Sequence, residues 1–134
     1  RETDYYLGEM GPELNKTFLA FQTPADSGEL AAWKLLTNRW EDEYASLRRH
    51  DEPRPLNLDP GYITPAKLVL ASTKDYSHRI YLRAGIYAEI TLMWRRGGWH
   101  HHDFTFPDYR RSDYQTYFTE VRELARRIGK PGLP

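Results

Sequence analysis

At 134 residues and without a cysteine, the chain is long enough to bury a core without disulfides, and it has no thiolate for zinc, an iron–sulfur cluster or nucleophilic attack. Nineteen basic residues balance nineteen acidic ones, so the positive excess of a generic nucleic-acid binder is missing, and the near-zero net charge gives little repulsion between copies, which favours a homo-oligomer. No run of about 18 apolar residues offers a membrane span, no signal peptide is visible, and the lack of cysteine fits a reducing compartment, so a cytoplasmic protein is expected.

The length fits one domain, residues 1–134. Residues 1–16 are polar and turn-rich, with Gly8, Gly11 and Pro12. Thr17–Phe21 reads as a short buried strand, which predicts a strand near 17–22. Asp26 and Glu29 form a capping-box pattern, and Leu30, Trp33, Leu36, Trp40, Tyr44 and Leu47 then recur at steps of three and four. The spacing predicts a helix over about 27–48. Pro53 and Pro55 mark a loop, Leu56–Leu58 a brief strand, and Asp59-Pro60-Gly61 a turn. Thr64 ahead of Pro65 suits a helix start, so the apolar run Lys67–Ala71 is expected in a short buried helix over about 65–74.

The stretch that follows specifies itself best. His78–Leu82 and Ile86–Trp94 flank Arg83-Ala84-Gly85, a three-residue hairpin loop with glycine last. That loop pairs Leu82 with Ile86 and Ile80 with Ala88 on one face, and Tyr81 with Tyr87 and Arg79 with Glu89 on the other. A turn at Arg95–Gly98 leads to a third strand over about 99–104. Ser112 and Gln115 form a second capping-box pattern before the stripe Tyr114, Tyr117, Phe118, Val121, Leu124, Ala125 and Ile128, with Gly129 and Pro131 as stop signals. The expected fold is α+β: a mostly antiparallel sheet, made of the meander 78–104 and the strand near 17–22, with three helices packed mainly on one face and the other face open and polar.

Four strings at the centre of the chain, Asn57–Tyr62, Ala66–Asp75, His78–Leu82 and Gly85–Glu89, carry a resemblance, joined by Thr3–Tyr6, Glu9–Gly11 and Phe106–Tyr109. Together they resemble a bacterial and archaeal family, domain of unknown function 4416. The resemblance spans most of the chain and names no reaction. It implies a further strand and helix ahead of residue 1, hence an N-terminally truncated chain. Its members are more apolar where this chain has His100-His101-His102.

Four constellations bear chemistry. The second hairpin face carries Arg79, a fork for phosphate or carboxylate, Tyr81 and Tyr87 for stacking, and Glu89 as a candidate general base; its ordinary alternative is a cross-strand ion pair on a solvated face. Asp59 and Gly61 at the turn, with Lys67, Lys74 and His78, suit an anion at a helix N-terminus and a proton shuttle; the ordinary alternative is a turn and a cap. His100 and His102 share a strand face at a spacing that holds a divalent metal, the weaker alternative to a site with no cofactor. Glu41–Glu43 and Arg48–His50 on the long helix form a partner-binding face or plain solvated surface.

Two functions are open. One is binding of an anionic small molecule, a nucleotide or phosphate ester, by Asp59, Gly61, Lys67, Lys74, Arg79, Tyr81 and Tyr87, with Glu89 or His78 as acid/base. The other is a non-catalytic protein-interaction module using the aromatic surface or an exposed strand edge. A concave pocket joining Arg79, Lys74, His78 and Glu89 supports the first; a flat apolar patch with those residues paired off supports the second.

Overall fold

Ile86–Arg95 alternates strand-forming residues over ten positions and becomes the longest strand, β4, in the computed structural model, which describes residues 16–129. The turn-rich stretch before residue 16, the matching strings within it and Pro131 lie outside those residues. The sheet is antiparallel and five-stranded: β1 (Gly61–Ile63), β2 (Lys67–Ser72), β3 (Arg79–Arg83), β4 and β5 (Gly98–His100), in the order β1-β2-β4-β3 with β5 also on β4. β2 runs along one side of β4, and β3 and β5 share the other.

The β3–β4 register follows the sequence at Arg79↔Glu89, Ile80↔Ala88 and Tyr81↔Tyr87. It departs at the tip. Arg83, not Leu82, pairs with Ile86, and Leu82 is the extra residue of a bulge. The loop is therefore two residues, Ala84 and Gly85, with φ of 53° and 80°, the positive pair that matches strand twist. The β4–β5 loop repeats this with Arg96 and Gly97 at 52° and 76°. The third strand ends at His100, short of the expected 104.

Residues 65–74 are not a helix. Thr64 and Lys67 exchange backbone hydrogen bonds around Pro65-Ala66, which closes a β1–β2 hairpin, and the Thr64 hydroxyl accepts from Ala66 N rather than capping a helix. The run is apolar on both faces because β2 lies between two strands and is covered on both sides. Val69 and Ala71 join a core with Leu30, Ala31 and Ile86, whereas Leu68 joins Leu92, Trp99, Tyr109 and Phe118. Alternate residues of one strand point to opposite faces, so the two cores sit on opposite sides of the sheet.

Each core is closed by one helix, α1 (Leu30–Ser46) on the first and α2 (Ser112–Ile128) on the second. Among the described residues there are two α-helices, one per face, rather than three on one. Short 3-10 turns, Ser27–Glu29 and Pro107–Arg110, precede them. Asp26 does cap its turn, accepting from Gly28 N at 2.8 Å. Ser112 caps nothing; Arg111 occupies the N-cap and Gln115 donates to Tyr109 O instead. Among these residues no helix is long and apolar enough to cross a membrane.

Two other expected strands are absent for traceable reasons. Leu58 has its N–H bonded to Glu41 Oε2 at 2.6 Å and its carbonyl to Lys34 Nζ at 3.3 Å, so helix side chains replace a partner strand. Thr17–Phe21 is irregular; Phe18 enters the aromatic cluster of Tyr114, Tyr117 and Phe118 at centroid distances of 4.8, 5.5 and 5.1 Å, while Leu19 and Phe21 stay exposed.

At the start of α2, hydrogen bonding from Arg111 holds the Asp113 carboxylate below its ordinary range, and Asp113 in turn raises Arg111. A lowered carboxylate stabilises the fold above its unfolded value and loses that contribution as pH falls through the folded one. Acid titration of Asp113→Asn, followed by circular dichroism, should therefore show a flatter acid limb than the natural chain.

Gly61 is required where β1 meets β2. A Cβ there would stand 2.5 Å from Val69 O and 2.6 Å from Leu70 Cδ2, whereas one at Gly98 meets nothing within 4 Å. Gly61→Ala should cost about 1–3 kcal/mol by urea melting, as overpacking does, with Gly98→Ala close to neutral.

Candidate functional site

Glu89 is a carboxylate buried to 3% exposure in the middle of a sheet. A charge so placed must be compensated, and β3 supplies the means. Arg79, directly opposite, donates from Nε to Glu89 Oε1 at 3.0 Å, and His78 Nε2 lies 2.8 Å from the same oxygen. The Thr91 hydroxyl donates to Oε2 at 3.0 Å. Arg79 also donates to Lys74 O at 3.2 Å and lies 4.2 Å from the Tyr76 ring centroid. One carboxylate and one guanidinium balance, which is what the burial of a charge requires.

With Nε2 turned to Glu89, the other nitrogen of His78, Nδ1, is buried with no hydrogen-bond partner among the described residues. A neutral ring that donates from Nε2 carries its lone pair on Nδ1. Above the imidazole lies Phe104, parallel to within 4° at 4.6 Å between centroids and itself 56% exposed.

The roof over this cluster also repairs the sheet. β3 covers β4 up to Glu89 and β5 covers it from Met93, leaving Ile90, Thr91 and Leu92 without a strand on that side among the described residues. His102 Nε2 donates to Ile90 O at 2.6 Å, and the Thr105 hydroxyl donates to Thr91 O at 2.8 Å while accepting from His102 N. Phe104 N donates to His102 Nδ1 at 3.1 Å. Arg110 fastens the loop by donating to Thr105 O at 3.0 Å.

Comparison with known proteins adds one match. The model of a domain of unknown function, DUF4416, matches residues 1–124. The chain belongs to the DUF4416 family. No curated protein and no solved structure matches it. The strings His78–Leu82 and Gly85–Glu89, on which the resemblance rests, form the two sides of the hairpin that carries the cluster.

In this DUF4416 chain the remaining candidates do not converge. The turn at Asp59-Pro60-Gly61 precedes a strand, so no helix N-terminus stands behind it; Asp59 faces Lys34 at 3.7 Å and accepts from Asn57 at 2.9 Å. Lys67 stands at the far end of β2 from Ser72, about 17 Å along the strand. Lys74 is exposed and reaches the cluster by its carbonyl alone. Tyr81 and Tyr87 make an edge-to-face pair at 5.2 Å, and the Tyr81 hydroxyl accepts from Gly85 N. The face is thus not an open polar surface: Arg79 and Glu89 are in its floor.

His100 and His102 do not share a ligand position either. His100 Nε2 bonds Arg95 O at 2.9 Å, and both ring nitrogens of His102 are engaged. Among the described residues no group of three His, Asp or Glu is placed to hold a metal ion. On α1, Glu41 is a fastening for Leu58, and His50 bonds the Tyr44 hydroxyl at 2.7 Å. Tyr76, Phe104 and Thr105 escaped sequence reasoning. Their only signal is a polar or aromatic side chain in a loop, and the fold alone brings it to β4.

Two variants measure how much the cluster and its roof hold. Glu89→Ala strands a buried guanidinium and should cost about 3–5 kcal/mol by chemical denaturation. Thr105→Val keeps the shape and leaves Thr91 O unpaired, for about 1–3 kcal/mol.

Proposed function

We propose that this DUF4416 domain binds a small planar anionic molecule, of the nucleotide or aromatic phosphate-ester class, at the His78–Glu89 pair. The observation that carries the reading is the buried Nδ1 of His78, a lone pair with no partner among the described residues, on a ring polarised by a carboxylate 2.8 Å away. Buried polar atoms without partners are rare and concentrate where a ligand or a proton is handled. A carboxylate bonded to one ring nitrogen fixes the orientation of the imidazole and so aims the other nitrogen.

The roles differ from those expected on sequence grounds. Arg79 is 6% exposed and spent on Glu89, so it holds the pair in place and does not grip the anion. His78 Nδ1 accepts a hydrogen bond, or a proton, from the ligand. Phe104, exposed and stacked on the imidazole, lifts to admit a ring in its place, and Tyr76, 45% exposed, flanks the entrance. Lys74, whose ammonium has no partner among the described residues, meets the negative group at the rim. The cysteine-free composition supports action in a reducing, cytoplasmic setting. The other function, an interaction module, is favoured by one separate observation, the exposed apolar row of β3.

The test is a thermal-shift screen of the full chain against nucleotides, aromatic phosphate esters and inorganic phosphate, since a ligand of the folded state raises its midpoint. A nucleotide or aromatic ester should raise it, and inorganic phosphate should not. His78→Gln, whose amide still donates to Glu89, and Phe104→Ala should each abolish the rise while leaving the chain folded. A rise that persists undiminished in His78→Gln, or none with any compound, overturns the reading.

A further inference from the structure

The outer side of β3 has no partner strand among the described residues. Four of its five residues are exposed, from Ile80 to Arg83. Unpaired strand edges are templates for another chain, and natural sheets blunt them with charge, proline or cover. Here Arg79 and Arg83 charge the two ends and Leu82 is a bulge residue, but among the described residues the centre carries no charge, proline or cover. Ile80 is 68% exposed, Tyr81 56% and Leu82 40%.

The strand is also close to a palindrome. Arg79-Ile80-Tyr81-Leu82-Arg83 reads nearly the same from either end. An antiparallel partner centred on Tyr81 sets Ile80 opposite Leu82 of the second copy, Leu82 opposite Ile80, and Tyr81 opposite Tyr81. Both apolar residues stand on the α1 side: Ile80 pairs with Ala88, which packs on the α1 core, and Leu82 lines a cavity of about 260 Å³ with Leu30 and Ala31. Ile90, on the same side and 38% exposed, extends the row. The Arg79–Arg83 encounter at each end is softened, because Glu89 already neutralises Arg79. The chain's zero net charge adds no repulsion.

We propose that β3 pairs with β3 of a second copy of this chain, making one sheet continuous through an isologous dimer with both α1 helices on the same face. The occupant is a second copy because the edge complements itself in length, in apolar side and in twofold order. This proposal is independent of the ligand reading at His78.

The chain has no cysteine, which makes a clean experiment available. Directly opposite residues of an antiparallel pair have Cα atoms about 4.5–5.5 Å apart, within disulfide reach. Tyr81→Cys in the full chain, mildly oxidised and run on a non-reducing gel, should convert to a crosslinked dimer. Thr73→Cys, exposed and away from the axis, should stay monomeric. Sedimentation of the natural chain should show a dimer, and Ile80→Lys should remove it with the circular-dichroism spectrum kept. A natural chain that stays monomeric to high concentration overturns the proposal, as does Tyr81→Cys crosslinking no faster than Thr73→Cys. A dimer that survives both Ile80→Lys and Leu82→Lys places the contact elsewhere and overturns it too.

Discussion

A ten-residue strand with an interrupted neighbour is the constraint on which the rest depends. β4 needs partners along both sides, since backbone polar groups left bare in a core are costly. β2 satisfies one side nearly throughout, but β3 and β5 stop short of each other on the other side. The gap has to be filled by side chains that can do a strand's work. His102 and Thr105 do so for the carbonyls of Ile90 and Thr91. The loop that brings them also brings Phe104 over His78, so the candidate site and the repair of the sheet are one construction.

The buried charge follows from the same geometry. Glu89 lies opposite Leu70 on β2 and Arg79 on β3, at the border of the gap. Solvating water is excluded there, so the carboxylate draws on every donor in reach: a guanidinium, an imidazole and a hydroxyl. Arg79 is consequently a partner of the fold before it is a partner of anything else. A cation on a solvated sheet face is free to take a phosphate; the same residue next to a buried carboxylate is not.

What was legible in the sequence was what local pairing decides. Arg79 and Glu89 declared their register because charge, aromatic and apolar pairs all agreed, and the Tyr114–Ile128 stripe declared α2. The tip of the hairpin was misjudged by one residue, because both a three-residue loop and a two-residue loop with a bulge accept Ala84-Gly85. β2 was mistaken for a helix because Thr64-Pro65 serves a helix start and a hairpin turn equally, and a strand buried on both faces has no period to read. Leu58 and Phe18 went astray because their partners, Lys34, Glu41 and the α2 aromatics, are distant in sequence. The site divided the same way. Glu89, Arg79 and His78 sit on one hairpin and were visible. His102, Phe104 and Thr105 reach it from beyond β5, and nothing in their local sequence points to β4.

The broken edge of β4 has a mechanical consequence. Among the described residues β3 and β5 share no ladder, and each is tied to the sheet through β4 alone. Opening one outer strand does not unzip the other, and proteins open in such separable units. The loop between them is fastened chiefly by side-chain hydrogen bonds, which break one at a time, whereas a strand ladder yields cooperatively. The 101–106 segment is thus held to β4 by the side chains of His102 and Thr105 and by Arg110 rather than by a ladder, so its opening is separable in principle from that of either outer strand.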